Sequence, residues 1–200
     1  MDSDLDSIQQ ARDLAVAGHQ AQKEFMRASQ ADVDRICAAM AEAAFNAAER
    51  LGKMASEETG YGVPEHKKLK NILTSKILWE AIKDIPTVGV IRHDAQKKIY
   101  EIAWPMGLVA ALTPSTNPTS TVMFKILISV KARNAIVVAP HPTAVNCCVE
   151  TARIMAEAGE RVGMPRGLVS CMSKVTLPGT QELMKHKYTS LILATGGSDM

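Results

Sequence analysis

The chain has 200 residues, 46% apolar and 22% charged, proportions that exclude a disordered or fibrous segment. Its 23 basic and 21 acidic side chains leave a net charge of +2, which gives no general pull toward nucleic acid or anionic membrane, and 4% aromatics are too few for a base-stacking platform. No apolar run approaches the ~20 residues that span a bilayer, and the opening MDSDLDSIQQ lacks the basic and apolar regions of a secretion signal, so a cytoplasmic protein without a membrane partner is expected.

The first 60 or so residues read as helix. A shorter helix is expected around Ser7 to Ser29. After it, Val33, Ile36, Cys37, Met40, Ala44, Ala47, Leu51 and Met54 form one apolar stripe at helical spacing. Ser29 and Asp32 resemble a capping box at its start, and Gly60 offers a stop. A third helix is expected from Lys67 to Ile82, with HKKLK on a solvated face. The four cysteines, Cys37, Cys147, Cys148 and Cys171, form no CxxC pair and lie at no zinc-finger spacing from a histidine, so buried thiols and no metal site are expected.

The middle of the chain changes period. Two β-rich runs, 87–92 and 98–104, flank the polar HDAQK and read as a hairpin. Strand-like runs then follow at 108–113, 135–140, 168–173 and 190–195, with helix-like segments at about 118–132, 144–160 and 179–187 between them. Short apolar strands alternating with helices describe an α/β fold with a parallel sheet covered on both faces.

In such sheets ligands bind beyond the carboxyl ends of the strands. Those ends read TPSTNPTS, APHPTA, SKVTLPG and ATGGSD. Free N–H groups at the helix starts that follow can hold a phosphate. Ser115, Thr116 and Asn117 either cap a helix that has Pro118 in its first turn, or Asn117 presents a neutral amide donor to a ligand. TGGS, at 195–198, lacks the GxGxxG fingerprint and serves a close cofactor approach or a tight turn equally well.

Taken as a set, EIAWPMGLVAALTPSTNPTSTVMFKILISVKARNAIVVAPHP and the later LILATGG closely resemble the aldehyde dehydrogenase superfamily, and within it the CoA-acylating branch found in the N-terminal half of bifunctional aldehyde–alcohol dehydrogenases. LGKMASEETGYG and KNILTSKI extend the similarity into the helical part. The resemblance implies that residues 1–86 are the helical part of a nucleotide-binding domain, 87–104 a hairpin used in oligomerisation, and 105–200 the βαβ nucleotide-binding part, with the catalytic domain beyond residue 200. It implies NAD as cofactor and CoA as co-substrate, a short aldehyde such as acetaldehyde or sulfoacetaldehyde as substrate, a cysteine thioester intermediate, and a homo-oligomer.

By the same resemblance Asn117 matches the oxyanion-stabilising asparagine. Leu112, Thr113, Pro114, Ser115, Thr116 and Asn117 match the cofactor-contacting strand end, and Gly196 and Gly197 a glycine turn beside the pyrophosphate. Lys125 matches a lysine recurring on the helix after the elbow, with a structural or electrostatic role. Hydrolytic relatives hold the adenosine ribose with Lys and Glu at the second strand end. This chain has APHP there, so His141 is left to supply one hydrogen bond. The nucleophilic cysteine of the family follows the ATGG segment and has no counterpart among the cysteines present. A truncated, non-catalytic nucleotide-binding or assembly module is therefore the competing expectation. No spare N-terminal peptide for microcompartment targeting is expected.

Overall fold

Small residues recur along one side of the first helix and let it lie close to what it covers. The computed structural model describes residues 2–197. In it helix α1 spans Ser3–Phe25, burying Ala11, Ala15, Gly18 and Ala21. A Cβ on Gly18 would stand 2.8 Å from Leu108 Cδ1, so glycine sets the approach of α1 to the sheet. Asp2 accepts from the Asp4 amide at 3.0 Å and starts the helix earlier than its apolar pattern suggests. At 23 residues it is longer than the 17-residue helix that follows, the reverse of expectation.

The long apolar stripe belongs to two helices. Helix α2 covers Gln30–Asn46 and α3 covers Ala48–Thr59, with Ala47 between them at φ −93°, ψ 0°. Ser29 and Asp32 form the expected capping box, and Gly60, at φ 70°, ends α3 in the left-handed conformation. Across the break the principal packing partner changes, from the helix Val145–Arg161 for α2 to the helix Pro64–Ile72 for α3, while the stripe stays continuous. Helix α4 (Pro64–Ile72), a π-helical turn (Leu73–Ile77) and α5 (Leu78–Ile82) replace the third expected helix. The turn coincides with Thr74 and Ser75, whose hydroxyls donate back to the carbonyls of Lys70 (3.0 Å) and Asn71 (2.7 Å).

Strands β1 (Gly89–Asp94) and β2 (Ile99–Ala103) pair antiparallel as the expected hairpin. It leaves Val90, Ile99, Ile102 and Trp104 exposed.

The second sheet is parallel and runs β5-β4-β3-β6, from β3 (Leu108–Thr113), β4 (Ala135–Pro140), β5 (Val169–Cys171) and β6 (Thr189–Ala194). Strands β3 and β4 begin and end where the sequence pattern placed them, because every residue of both is buried or nearly so and Pro or polar turns bracket them. Helix α6 (Pro118–Lys131) connects β3 to β4 and α7 (Val145–Arg161) connects β4 to β5, and both are backed by α2 and α3. Helix α8 (Leu177–Lys185) pairs with α1 on the other side. The chain steps outward from β3 to β5 and then returns through α8 to place β6 against the opposite edge of β3. Strand order thus reverses between β3 and β6, the point at which loops diverge and leave a crevice. Strand β6 itself is the open edge, with Leu191 and Ile192 exposed rather than covered. Among the described residues no helix is long and apolar enough to cross a membrane, and no cluster of three or more His, Cys, Asp or Glu side chains could hold a metal.

Candidate functional site

The crevice at the reversal is a cleft of about 610 Å³. Thr113, Pro114, Ser115, Thr116 and Asn117 from the β3–α6 elbow line it, with His141 after β4 and Gly196 and Gly197 after β6. Thr195, the first residue of TGGS, joins them, as does Thr121 in the first turn of α6. Leu112 is not among the lining residues; it stays in the sheet, where its carbonyl accepts from the Thr195 amide at 3.2 Å. Ser198, the last residue of TGGS, lies outside the described residues.

Asn117 occupies the N-cap position of α6 with non-helical backbone angles (φ −140°, ψ 60°), but its side chain caps nothing. An N-cap asparagine ordinarily turns its side-chain oxygen to the amides of the first turn. Here that oxygen accepts instead from Lys70 Nζ at 2.8 Å. Pro118 carries no N–H, so it fits the first turn without cost. The start of α6 thus keeps its first amides free of any side-chain acceptor, next to the cleft.

One member of HKKLK departs from the solvated face expected of it. Lys67 is only 4% exposed, and its ammonium donates to the Thr116 carbonyl. Burial, and then the charge of Lys70, push its pKa below the ordinary lysine value. Beside it Asn71 is fully buried, donating to the Ala48 carbonyl at 2.9 Å and accepting from Thr119 Oγ1 at 2.8 Å. A charge run reads as solvent-facing; the signal that corrects it is that Lys67, Lys70 and Asn71 share one helical face with Thr74.

Lys125 is 1% exposed and lies within the fold rather than on the cleft lining. Its ammonium donates to the carbonyls of Leu112 (2.5 Å) and Leu193 (2.6 Å), tying the ends of β3 and β6 together. Burial lowers its pKa to about 8.

At the second strand end His141 is exposed, and its Nδ1 accepts from the Thr143 amide at 3.2 Å, capping the short 3-10 turn Pro142–Ala144. That bond leaves Nε2 as the nitrogen able to meet a ligand. The helix start that follows is not a free anion site. Glu58 fills it, accepting from the amides of Asn146 (2.8 Å) and Cys147 (2.7 Å). A phosphate there would meet a carboxylate already in place.

Cys37, Cys147 and Cys148 are buried and Cys171 is half-buried. Burial raises the Cys37 thiol to about 12 and also raises Cys171, while a bond to Cys148 followed by burial raises Cys147. None of these three is a ready thiolate.

The same fold occurs in proteins of known structure. An acetylating aldehyde dehydrogenase from Geobacillus thermoglucosidasius superposes with a TM-score of 0.98 at 52% identity, over 99% of this chain and 44% of that one. Rhodopseudomonas palustris propionaldehyde dehydrogenase, solved with bound CoA and an acylated cysteine, gives 0.82 at 27% identity, over 94% of this chain and 43% of that one. In sequence, a bifunctional aldehyde-alcohol dehydrogenase of Escherichia coli is 41% identical over 180 residues, 90% of this chain but 20% of the relative's length. The chain therefore spans less than half the length of each of these relatives. Residues 3–200 match the family described as the aldehyde dehydrogenase family, and the likeness runs through helices, hairpin and sheet alike. The chain belongs to the aldehyde dehydrogenase family.

Proposed function

We propose that these residues form the nucleotide-binding part of a CoA-acylating aldehyde dehydrogenase, which converts a short aldehyde, CoA and NAD to acyl-CoA and NADH. The observation that carries the reading is the meeting, in one cleft, of the Asn117 amide, the uncapped start of α6 and the Gly196–Gly197 turn. Free first-turn amides suit a phosphate oxygen, and glycines after β6 let a dinucleotide approach the backbone. Bound there, NAD would supply the acceptor for the hydride released when the aldehyde is oxidised. The residues of this chain supply position and charge. The Asn117 Nδ2 amide donates to the oxyanion formed when a thiolate adds to the aldehyde, without acting as a base. Thr113 to Thr116 form the wall of the cofactor site, and His141 offers Nε2 where hydrolytic relatives use other residues.

The reactive thiolate comes from sequence outside these 200 residues. Two observations support this: the raised thiols of Cys37, Cys147 and Cys171, and the 43% coverage of a neighbour whose own cysteine is acylated. The exposed apolar hairpin, with Val90, Ile99, Ile102 and Trp104, serves self-association. The test is an assay of the natural polypeptide with acetaldehyde, NAD and CoA. NADH formation that requires CoA and yields acetyl-CoA is expected. NADH formed equally without CoA, with release of free acid, would place the chain in the hydrolytic branch, and no NADH with any short aldehyde would overturn the reading.

A further inference from the structure

Helix α4 aims three neighbouring side chains at the elbow that carries Asn117. Lys67 holds the Thr116 carbonyl and Asn71 holds the Thr119 hydroxyl, so the backbone is fixed on both sides of Asn117. Between them Lys70, from the exposed rim of α4, donates to Asn117 Oδ1 at 2.8 Å. A side-chain amide can flip and exchange its oxygen for its nitrogen. An ammonium has donors and no acceptor, so Lys70 is compatible with only one of the two orientations. In that orientation Nδ2 is turned away from Lys70 and has no protein partner among the described residues. A charge-assisted bond to the oxygen also polarises the amide and strengthens its N–H groups as donors.

We propose that Lys70 is a positioning residue of the oxyanion site: it holds the Asn117 amide in the flip that presents Nδ2–H to the developing oxyanion. The inference rests on the reading of Asn117 given above. A different role for the same lysine would be contact with an anionic group on the substrate. A cleft of about 230 Å³, lined by Tyr61, His66, Lys67, Lys70, Thr116 and Asn117, lies alongside. The two roles give different kinetics.

The experiment compares wild type, Lys70→Met, Lys70→Arg, Asn117→Ala and the Lys70→Met/Asn117→Ala double variant of the full-length enzyme. Acetaldehyde serves as a neutral substrate and sulfoacetaldehyde as an anionic one. Lys70 is exposed, so its variants are expected to melt with the wild type, which circular dichroism checks. Lys70→Met is expected to lower kcat about 10-fold for both aldehydes, with KM for acetaldehyde changed less than about twofold. Lys70→Arg, still a charged donor, keeps most of the turnover. In the Asn117→Ala background Lys70→Met costs less than about twofold more, because the group it positions is gone. Equal losses in both backgrounds, a loss confined to KM for sulfoacetaldehyde, or no loss at all would each overturn the inference while leaving Asn117 in place. An Asn117→Ala enzyme as fast as wild type, or a wild type that forms no NADH from either aldehyde, would overturn the oxyanion reading and this inference with it.

Discussion

Glu58 Oε2 lies 2.7 Å from the backbone nitrogen of Cys147, so the carboxylate of one helix serves as the N-terminal cap of another 89 residues away. Its second oxygen takes the Asn146 amide. Glu58→Ala should therefore cost roughly 1–2 kcal/mol, the usual value of a lost cap. The same variant opens the start of α7 to anions, so sulfate should stabilise it more than the wild type. Urea titrations with and without sulfate read both effects, and equal stability of variant and wild type would remove the capping role.

The oxyanion reading gives Asn117→Ala a sharp signature. In the complete enzyme kcat should fall about 100-fold, with KM for the aldehyde little changed. Steady-state NADH formation measures it. Near-normal turnover would reduce Asn117 to a residue of the helix entry.

Lys125 makes stability depend on pH in the alkaline range. Its pKa is lowered by burial to about 8, below the ordinary lysine value of 10.5. Between those two values the unfolded chain binds more protons than the folded one, so this group's contribution to stability rises with pH. Below about 8 both states are protonated and the cost of the buried charge is constant. Wild type should therefore gain stability relative to Lys125→Met as pH climbs from 8 to 10.5. Denaturant unfolding of both proteins across that window checks the sign, and a constant difference would contradict it.

Helix α8 meets α1 with no room for a side chain at Gly179. A Cβ there would lie 1.9 Å from Ser7 Oγ. That hydroxyl donates to the Lys174 carbonyl at 2.7 Å and accepts from the Thr176 amide at 3.2 Å, so it cannot yield without losing both bonds. Gly179→Ala should destabilise by about 2–3 kcal/mol through overpacking. Pairing it with Ser7→Gly should recover part of the loss, measured as a double-mutant cycle in denaturant.

What the sequence disclosed divides along physical lines. Strands β3 and β4 were legible to the residue because burial on all sides leaves an unbroken apolar run, and turn formers mark where burial stops. The elbow residues were legible as a cleft because a strand end and a Pro-bracketed helix start define an edge. The break at Ala47 was not, since an apolar stripe stays in phase through a bend that exchanges one packing partner for another. Lys67 was read as solvated because a charge run says nothing of which member a neighbouring loop will claim, whereas Lys70 does lie on the exposed side. Glu58 did leave a signal. Two glutamates, Glu57 and Glu58, end α3 with no basic residue in its last turn, against the helix dipole. Such a local misfit asks for a distant partner, and Glu58 has one.

The bend at Ala47 gives α3 the character of a measured spacer. From that corner, Leu51 and Ala55 seat the helix in the core, and three residues further on Glu58 arrives at α7. Each residue advances an α-helix by 1.5 Å and turns it by ~100°. Deleting one residue between Ala55 and Glu58 would swing the carboxylate to another side of the helix while Leu51 and Ala55 kept their seats. Composition in this stretch is thus freer than length: substitutions among its outward residues are tolerable, whereas a change of register uncouples the corner of one helix from the cap of another.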